Sequence, residues 1–339
     1  MTHNTAQTLK AWSARLAPYR RASNARAFAE LGLTLILLFA TWALSYFALQ
    51  TMGLFVSLII AVPGGALLVR LFTLQHDCGH GSLFTTKSLN DWVGRALGVF
   101  TVTPYDSWRD SHARHHAASG NLEGRGYGDI ETMTVAEYEN STKWERLRYR
   151  IYRHPMFLFG VGPAYMYFIR HRLPLAPANV GSIWFSTMVT NLVTAAVFFC
   201  MMVWLGVGAF LWVHLPMILI GASIGMWLFY VQHQFDDTSW DKPPNWMRED
   251  AALHGSSFYD LPKPLMWLSG NIGIHHVHHL NSRIPFHQLP KVMRDFPELK
   301  SLGRITFWQS LKTIHLALWD EKRRKLVSFR EYRRTAAAS

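Results

Sequence analysis

The sequence has two long stretches that lack charge. No Asp, Glu, Lys or Arg occurs from Leu31 to Val69 or from Leu173 to Phe235. A membrane-spanning helix needs about 20 predominantly apolar residues, so each stretch has room for two spans and a turn. The charged residues lie in the remaining segments, which brings the mean hydropathy of the whole chain to only +0.05. This distribution predicts an all-α integral membrane protein with four spans in two hairpins, and it argues against a single water-soluble core.

Cysteine is scarce, and acidic residues are missing near the N-terminus. Cys78 and Cys200 are the two cysteines, which is too few for a disulfide framework, and reduced thiols suit a site facing the cytoplasm. The first 29 residues contain five bases and no acid. Apolar residues recur in this segment at helical spacing: Leu9, Trp12, Leu16 and Tyr19. The pattern favours an interfacial helix over a signal peptide, because the apolar core that follows starts too late and runs too long.

The distribution of bases predicts the topology. The net charge is +12, yet the predicted turns near 50–53 and 206–209 carry no charge. By the positive-inside rule, the N-terminus and both polar blocks face the cytoplasm. Nucleic-acid binding is not expected, since the bases flank membrane segments and no binding motif accompanies them. We expect one domain with an interfacial helix (1–30), spans 1 and 2 (31–74), a cytoplasmic block (75–180), spans 3 and 4 (181–230) and a second cytoplasmic block (231–339).

The polar blocks are rich in histidine, and the chain has 17 in all. Eight of them form three groups at helical spacing: His76 and His80; His112, His115 and His116; His275, His278 and His279. Residues at i, i+3 and i+4 share one face of a helix, so each group can present its rings together. The predicted topology puts all three groups on one side of the membrane. We therefore expect them to form a shared metal site.

Neutral imidazole binds zinc, copper, iron and nickel, and eight ligands exceed the four of a structural zinc site, so two ions are predicted. His233, just past the fourth span, is a candidate ninth ligand, and His254 is the alternative source of an extra ligand. His276 points away from its neighbours and is expected not to bind metal. Four further residues are candidates to orient or support the ligand rings: Asp77, Asp110, Asp236 and Asn271.

The three groups resemble the histidine boxes of the integral-membrane fatty acid desaturases. They read His76-Asp-Cys-Gly-His80, His112-Ala-Arg-His-His116 and His275-His-Val-His-His279, in the family's order and spacing, and the spans fall relative to the boxes where the family has them. The resemblance covers about residues 30–300. The text at 231–238, 255–262 and 275–285 is most similar to the omega-6 (Δ12) acyl-lipid type. The resemblance implies four transmembrane helices, a cytoplasmic helical cap and a di-iron site, with His233 as the further ligand between the second and third boxes.

The resemblance also implies an activity. Such an enzyme is an oxidoreductase that uses O2 to introduce a cis double bond into an acyl chain, here a monounsaturated one, with two iron ions and no bound organic cofactor. Its substrate is a lipid-borne or thioester acyl chain, and its electron donor is a separate ferredoxin or b-type cytochrome. It would be a multi-pass protein of a bacterial inner membrane, with both termini cytoplasmic. The acyl carrier, the donor, the exact double-bond position and the oligomeric state stay open.

Two alternatives use the same histidines. An alkane or carotenoid hydroxylase is built on the same frame and has related histidine groups. A metal-transport protein is a more remote alternative, because transport requires polar residues in mid-membrane, and the predicted spans carry no charge there.

Overall fold

The structure is a computed structural model that describes Trp12 and residues 14–126, 128–173 and 180–337. Its helices are α1 (Asn24–Thr51), α2 (Leu54–His80), α3 (Lys87–Phe100), α4 (Tyr105–Ala118), α5 (Val135–Asn140), α6 (Lys143–Tyr152), α7 (Gly162–Phe168), α8 (Val180–Leu205), α9 (Val207–His233), α10 (Arg248–His254), α11 (Lys263–Leu268), α12 (His275–Leu280), α13 (Leu289–Asp295), α14 (Phe307–Thr313) and α15 (Phe329–Ala336). The strands are β1 (Met133–Thr134), β2 (Phe258–Asp260), β3 (Arg304–Thr306), β4 (Leu316–Asp320) and β5 (Lys325–Ser328).

Four helices of this set are long and apolar enough to cross a membrane: α1, α2, α8 and α9. They arise from the two charge-free stretches, where no charged side chain interrupts the apolar surface. The prediction of an all-α membrane frame with four spans is thus confirmed. Two of the spans continue beyond the predicted ends at 74 and 230, α2 to His80 and α9 to His233. Both extensions end in histidines.

Small residues let α2 and α9 approach each other closely. A Cβ atom on Gly65 would lie 2.7 Å from Ile220 Cγ2, and one on Gly221 would lie 3.0 Å from the Gly65 carbonyl oxygen. Glycine at both positions permits this backbone contact, as is common between membrane helices. The contact brings together the two helices whose C-terminal ends carry His76, His80 and His233.

Two small sheets, which the sequence analysis did not predict, join distant parts of the polar blocks. In the three-stranded sheet β1 pairs with β4 in parallel, with Met133 opposite Leu318, and β4 pairs with β5 in antiparallel fashion. In the other, β2 and β3 are parallel, with Phe258 opposite Arg304. The pairings hold the C-terminal segment against both histidine-bearing blocks.

The N-terminal segment packs on the second polar block. Trp12 and Leu16, which were expected on a membrane-surface helix, are instead buried in an apolar cluster with Val292 of α13 and Leu299. The Tyr19 hydroxyl donates a hydrogen bond of 2.5 Å to Asp295. Leu9 lies outside the described residues. The described part of this segment therefore covers the cap that carries α12.

Candidate metal centre

Four helices bring nine imidazole rings together. The rings of each helix lie on one of its sides or at its end, so regular helical geometry directs them toward a common point. The rings are His76 and His80 from α2, His112, His115 and His116 from α4, His233 from the end of α9, and His275, His278 and His279 from α12. Seven of the nine residues are buried, whereas His80 and His112 are half-buried.

Five of the rings form one group: His76, His80, His112, His116 and His278. The Nε2 atom of His112 lies 3.0 Å from Nε2 of His76, 3.0 Å from that of His80 and 3.1 Å from that of His116. Nε2 of His278 lies 3.1 Å from Nε2 of His116. Box residues from α2, α4 and α12 thus meet at one point.

The other four rings form a second group: His115, His233, His275 and His279. Nε2 of His233 lies 3.1 Å from that of His115 and 3.0 Å from that of His275. Nε2 of His279 lies 3.1 Å from that of His275. The two groups adjoin, since the rings of His116 and His279 stack with their centroids 4.1 Å apart.

The spacing of the nitrogens fits metal ligation. Within each group the ligand atoms all lie within 4.8 Å of one another. Two nitrogens about 2.1 Å from one ion and at right angles around it are about 3 Å apart, which matches the distances in both groups. Without a cation, so many Nε2 atoms facing each other would leave most lone pairs without a donor. The donor set is therefore compatible with a metal site in each group.

Burial keeps the three ligand rings on α12 and two of those on α4 neutral. It lowers the pKa of His275, His278 and His279 on α12 well below the ordinary value of 6.5, and neighbouring rings lower it further. The pKa values of His112 and His116 on α4 are lowered in the same way, mainly by burial. A neutral ring has a free nitrogen lone pair at neutral pH, which a metal ligand requires.

Three acceptors contact the far nitrogens of these rings. Nδ1 of His115 donates a hydrogen bond to Asp129 Oδ1. Nδ1 of His76 lies 3.3 Å from Asp77 Oδ1, and Nδ1 of His233 lies 3.4 Å from the carbonyl oxygen of Gly255. Such contacts select the tautomer that leaves Nε2 free and fix the ring orientation. Asp77 was among the sequence candidates for this role, whereas Asp129 was not.

The other three candidates for orienting the rings have other partners or an exposed position. Asp110 pairs with Arg114 Nε at 3.0 Å. Asp236 is exposed, three residues after the end of α9, and no ring nitrogen of the nine histidines contacts it among the described residues. Asn271 Nδ2 donates to the Phe286 carbonyl at 3.3 Å, so it supports the loop beside α12 rather than a ring.

The two remaining histidines near the motifs lie outside both groups. Nε2 of His276 is 3.0 Å from the Leu299 carbonyl oxygen, on the side of α12 away from the other rings. Burial lowers the pKa of His276 to about 4. His254 is exposed, with Nε2 3.7 Å from Asp250. Of the two residues considered for an extra ligand, His233 is thus the one that meets the groups.

Asp129 is the residue that sequence reasoning missed. It follows a loop with four glycines, and φ at Gly128 is +69°. A Cβ atom on Gly128 would lie 3.0 Å from Ser111 Oγ and 3.2 Å from the Ser111 carbonyl oxygen, so glycine lets the loop pass close to α4. The only sequence signal was an acid beside a glycine-rich loop after the second box, and no helical spacing relates it to His115.

Comparison with known proteins agrees with this centre. A family model described as Fatty acid desaturase matches residues 49–310. A protein of Bacillus subtilis named "Fatty acid desaturase" is 39% identical over 331 residues, which are 97% of this chain and 94% of that protein. A Synechocystis "sn-1 acyl-lipid omega-3 desaturase (ferredoxin)" is 28% identical over 66% of this chain and 63% of its own. An Arthrospira platensis "sn-1 oleoyl-lipid 12-desaturase" is 24% identical over 68% and 65%. The chain therefore belongs to the fatty acid desaturase family of oxidoreductases and is an integral membrane protein.

Proposed function

We propose that the protein is an O2-dependent acyl-lipid desaturase that introduces a cis double bond into a monounsaturated acyl chain at the Δ12 (omega-6) position. The observation that carries this proposal is the convergence of nine imidazoles into two adjoining groups. Imidazole nitrogens without thiolates suit iron, and they leave coordination positions open. The Δ12 position has support from relatives named as 12-desaturases, although others are named as omega-3 desaturases.

The nine histidines would hold two iron ions, one in each group. A di-iron centre supplies the O2-dependent oxidation of an unactivated methylene, which side chains alone cannot perform. The four-histidine group offers one ligand fewer than the five-histidine group, so it leaves a further position open. Asp129, Asp77 and the Gly255 carbonyl keep three of the rings in orientation. Burial excludes bulk water from most of the ligand rings.

An apolar groove between α2 and α9 is the proposed site for the acyl chain. Its walls are lined by apolar or small residues with few polar groups: Leu68, Val69, Phe72, Phe100, Thr101, Tyr167, Ile218, Gly221, Ala222 and Gly225. No charged residue lines the groove, so the binding of an alkyl chain would not remove solvent from any charged side chain.

Two aromatic side chains lie between the groove and the five-histidine group. The Phe72 ring contacts the Trp108 ring at a centroid distance of 5.2 Å. Trp108 in turn stacks on His112, with centroids 4.7 Å apart and planes inclined by 17°. A chain in the groove would therefore have its nearest methylenes at the wall of the centre. The depth of the groove would set which carbon pair is oxidised.

The electron donor would be a separate protein. One relative is named as a ferredoxin-dependent enzyme, and a ferredoxin is the donor that we propose, with a b-type cytochrome as the other option. The net charge of +12 favours an acidic donor. We place both termini and the metal centre on the cytoplasmic side of a bacterial inner membrane, because the bases flank the spans and an even number of spans returns the chain to one side.

The proposal is tested by expressing the chain in a host whose lipids are rich in monounsaturated acyl chains. Gas chromatography and mass spectrometry of the lipids should reveal a new cis double bond, and its position tests the Δ12 assignment. The His278→Ala variant is the matched control and should give none. A hydroxylated acyl chain in place of the diene would identify a hydroxylase instead. Anaerobic growth should abolish the product, since O2 is the co-substrate.

A further inference from the structure

One side of α2 contacts the segment that leads into α12. Arg70 Nη1 donates a hydrogen bond to the carbonyl oxygen of Trp267, and Thr73 Oγ1 lies 3.2 Å from that of Ser269 and 3.1 Å from that of Val69. Gly270 lies so close to this side that a Cβ atom there would be 2.6 Å from Thr73 Cγ2. The φ of Gly270 is +58°, which also favours glycine. The segment before α12 thus contacts α2 at Trp267, Ser269 and Gly270.

The same side of α2 contacts the chain after α12. Asp77 Oδ2 accepts a hydrogen bond of 2.7 Å from the backbone N–H of Phe286, while its Oδ1 lies 3.3 Å from His76 Nδ1. Arg70, Thr73 and Asp77 are spaced i, i+3 and i+7, so they follow one line along the helix. Both flanks of α12 are therefore attached to the helix that carries the first histidine box.

Arg70 is held in place from α1. Its side chain is 1% exposed, and Nη2 forms a 2.5 Å ion pair with Glu30, whose side chain is 7% exposed. Nε donates to Thr34 Oγ1 at 3.2 Å. The guanidinium carbon lies 3.9 Å over the Trp267 ring. Each nitrogen of the guanidinium thus has a partner, and the partners belong to α1 and to the approach to α12.

Stability alone is a poor explanation for this arrangement. Desolvation of two charges opposes the attraction between them, and replacing a buried pair by apolar residues of similar size is often neutral or stabilising. An ion pair does provide directional contacts that an apolar pair lacks. Here one of those contacts is the Trp267 carbonyl, eight residues before the first ligand of α12.

We infer that Arg70, fixed by Glu30, is a positioning residue that sets the third histidine box relative to the first. It touches no ligand ring itself and acts through Trp267 and the loop that follows. Because His278 belongs to the five-histidine group and His275 and His279 to the other, a shift of α12 would disturb both groups. This inference rests on the proposed di-iron function.

The test is a double variant, Glu30→Gln with Arg70→Met, which removes both buried charges. Arg26, which also pairs with Glu30 at 2.5 Å, is exposed and stays solvated. The control is Ser57→Ala, which removes another buried contact between α1 and α2, that of the Ser45 and Ser57 hydroxyls at 2.9 Å. The hydrogen bond that Ser45 Oγ donates to the Ser57 backbone carbonyl at 3.0 Å remains. Protein in detergent or nanodiscs is assayed for thermal midpoint, iron per chain, turnover, iron spectroscopy and the position of the new double bond.

We expect the double variant to fold with a thermal midpoint close to that of the wild type. Its turnover should fall about a hundredfold, which is the scale of a displacement of about 1 Å, and its iron spectrum should broaden. Arg70→Lys keeps the charge next to Glu30 but not the planar fork, so it should restore part of the turnover at most. The Ser57→Ala control should keep wild-type turnover and spectrum.

Wild-type turnover and spectrum in the double variant would overturn the positioning role, as would full activity of Arg70→Lys if the double variant does not fold. A wild-type protein that binds no iron or forms no double bond would instead refute the proposed function. The two failures are thus distinguishable in the same set of samples.

Discussion

Asp129 accepts a hydrogen bond from Nδ1 of His115, and this contact joins the loop after α4 to the four-histidine group. The contact fixes the tautomer of the His115 ring, and because that residue is only 1% exposed, packing also restricts the rotation of the ring. It also has a matched counterpart for experiment. Asp110 lies on α4 itself but pairs with Arg114 instead of a ring.

Asp129→Asn should therefore impair the metal centre. An amide is a weaker partner for the imidazole N–H, and loss of such an outer contact typically costs about 10–100-fold in metal affinity or activity. We expect a loss of that size in turnover, with less iron per chain. Asp110→Asn should stay near the wild type in both. Equal behaviour of the two variants would contradict the role of Asp129.

The histidines of α12 that belong to the two groups and His276, which does not, should differ in their effect on bound iron. His278→Ala removes a ring from the five-histidine group and should abolish turnover and lower bound iron. His276→Ala should retain iron, because Nε2 of His276 faces the Leu299 carbonyl. It should instead lower the free energy of unfolding by about 1 kcal/mol for the lost hydrogen bond, plus the cost of a cavity. Iron analysis and thermal unfolding of both variants decide this, and an iron-free His276→Ala protein would count against the assignment.

The metal-free protein should lose stability as the pH falls below about 6.5. Burial lowers the pKa of His276 to about 4, and those of the α12 ligands lie well below 6.5, whereas the unfolded chain has the ordinary value. Between those values the unfolded state binds more protons, so acid favours unfolding. Each such histidine contributes a slope of about 1.4 kcal/mol per pH unit.

Chemical denaturation of the apoprotein from pH 7.5 to 5 measures this slope. The His276→Asn variant should reduce the slope by the contribution of one histidine, about 1.4 kcal/mol per pH unit. An apoprotein that becomes more stable on acidification would show that these rings are not buried as neutral imidazoles. Using the apoprotein separates the effect of protons from that of metal loss.

Gly225→Leu tests the acyl groove. A Cβ atom at Gly225 meets nothing nearer than the Tyr167 hydroxyl at 4.0 Å, so the backbone tolerates the change and the larger side chain enters the groove. We expect turnover of the natural chain length to fall about 10–100-fold, or shorter chains to be preferred, with iron content unchanged. Gly32→Leu on α1 is the control, since nothing lies within 4 Å of a Cβ there. Unaltered chain-length preference and turnover would exclude this groove as the acyl site.

The sequence predicted the parts of this structure that depend on local pattern. The four spans follow from stretches without charge, and the three boxes follow from helical spacing, so neither needs knowledge of distant contacts. The role of Asp129 depends on how closely the loop at Gly128 passes α4, and the spacing of residues in the sequence does not reveal that distance. Asp236 was a candidate because it follows His233 closely, but α9 ends at His233, and Asp236 lies exposed after two buried residues. Strand β1 has only two residues, and it pairs with β4 nearly two hundred positions later, so local pattern could not reveal it.

His115 and His116 are neighbours on α4, yet their rings enter different groups, and α12 likewise serves both. A rotation of either helix would therefore move rings of both groups at once. In the proposed di-iron centre the two coordination spheres would be coupled through these shared helices, and the loss of one ion should weaken the binding of the other. Metal loading is then expected to be cooperative, passing from empty to full with few half-loaded molecules, and the evolution of either sphere is constrained by the other.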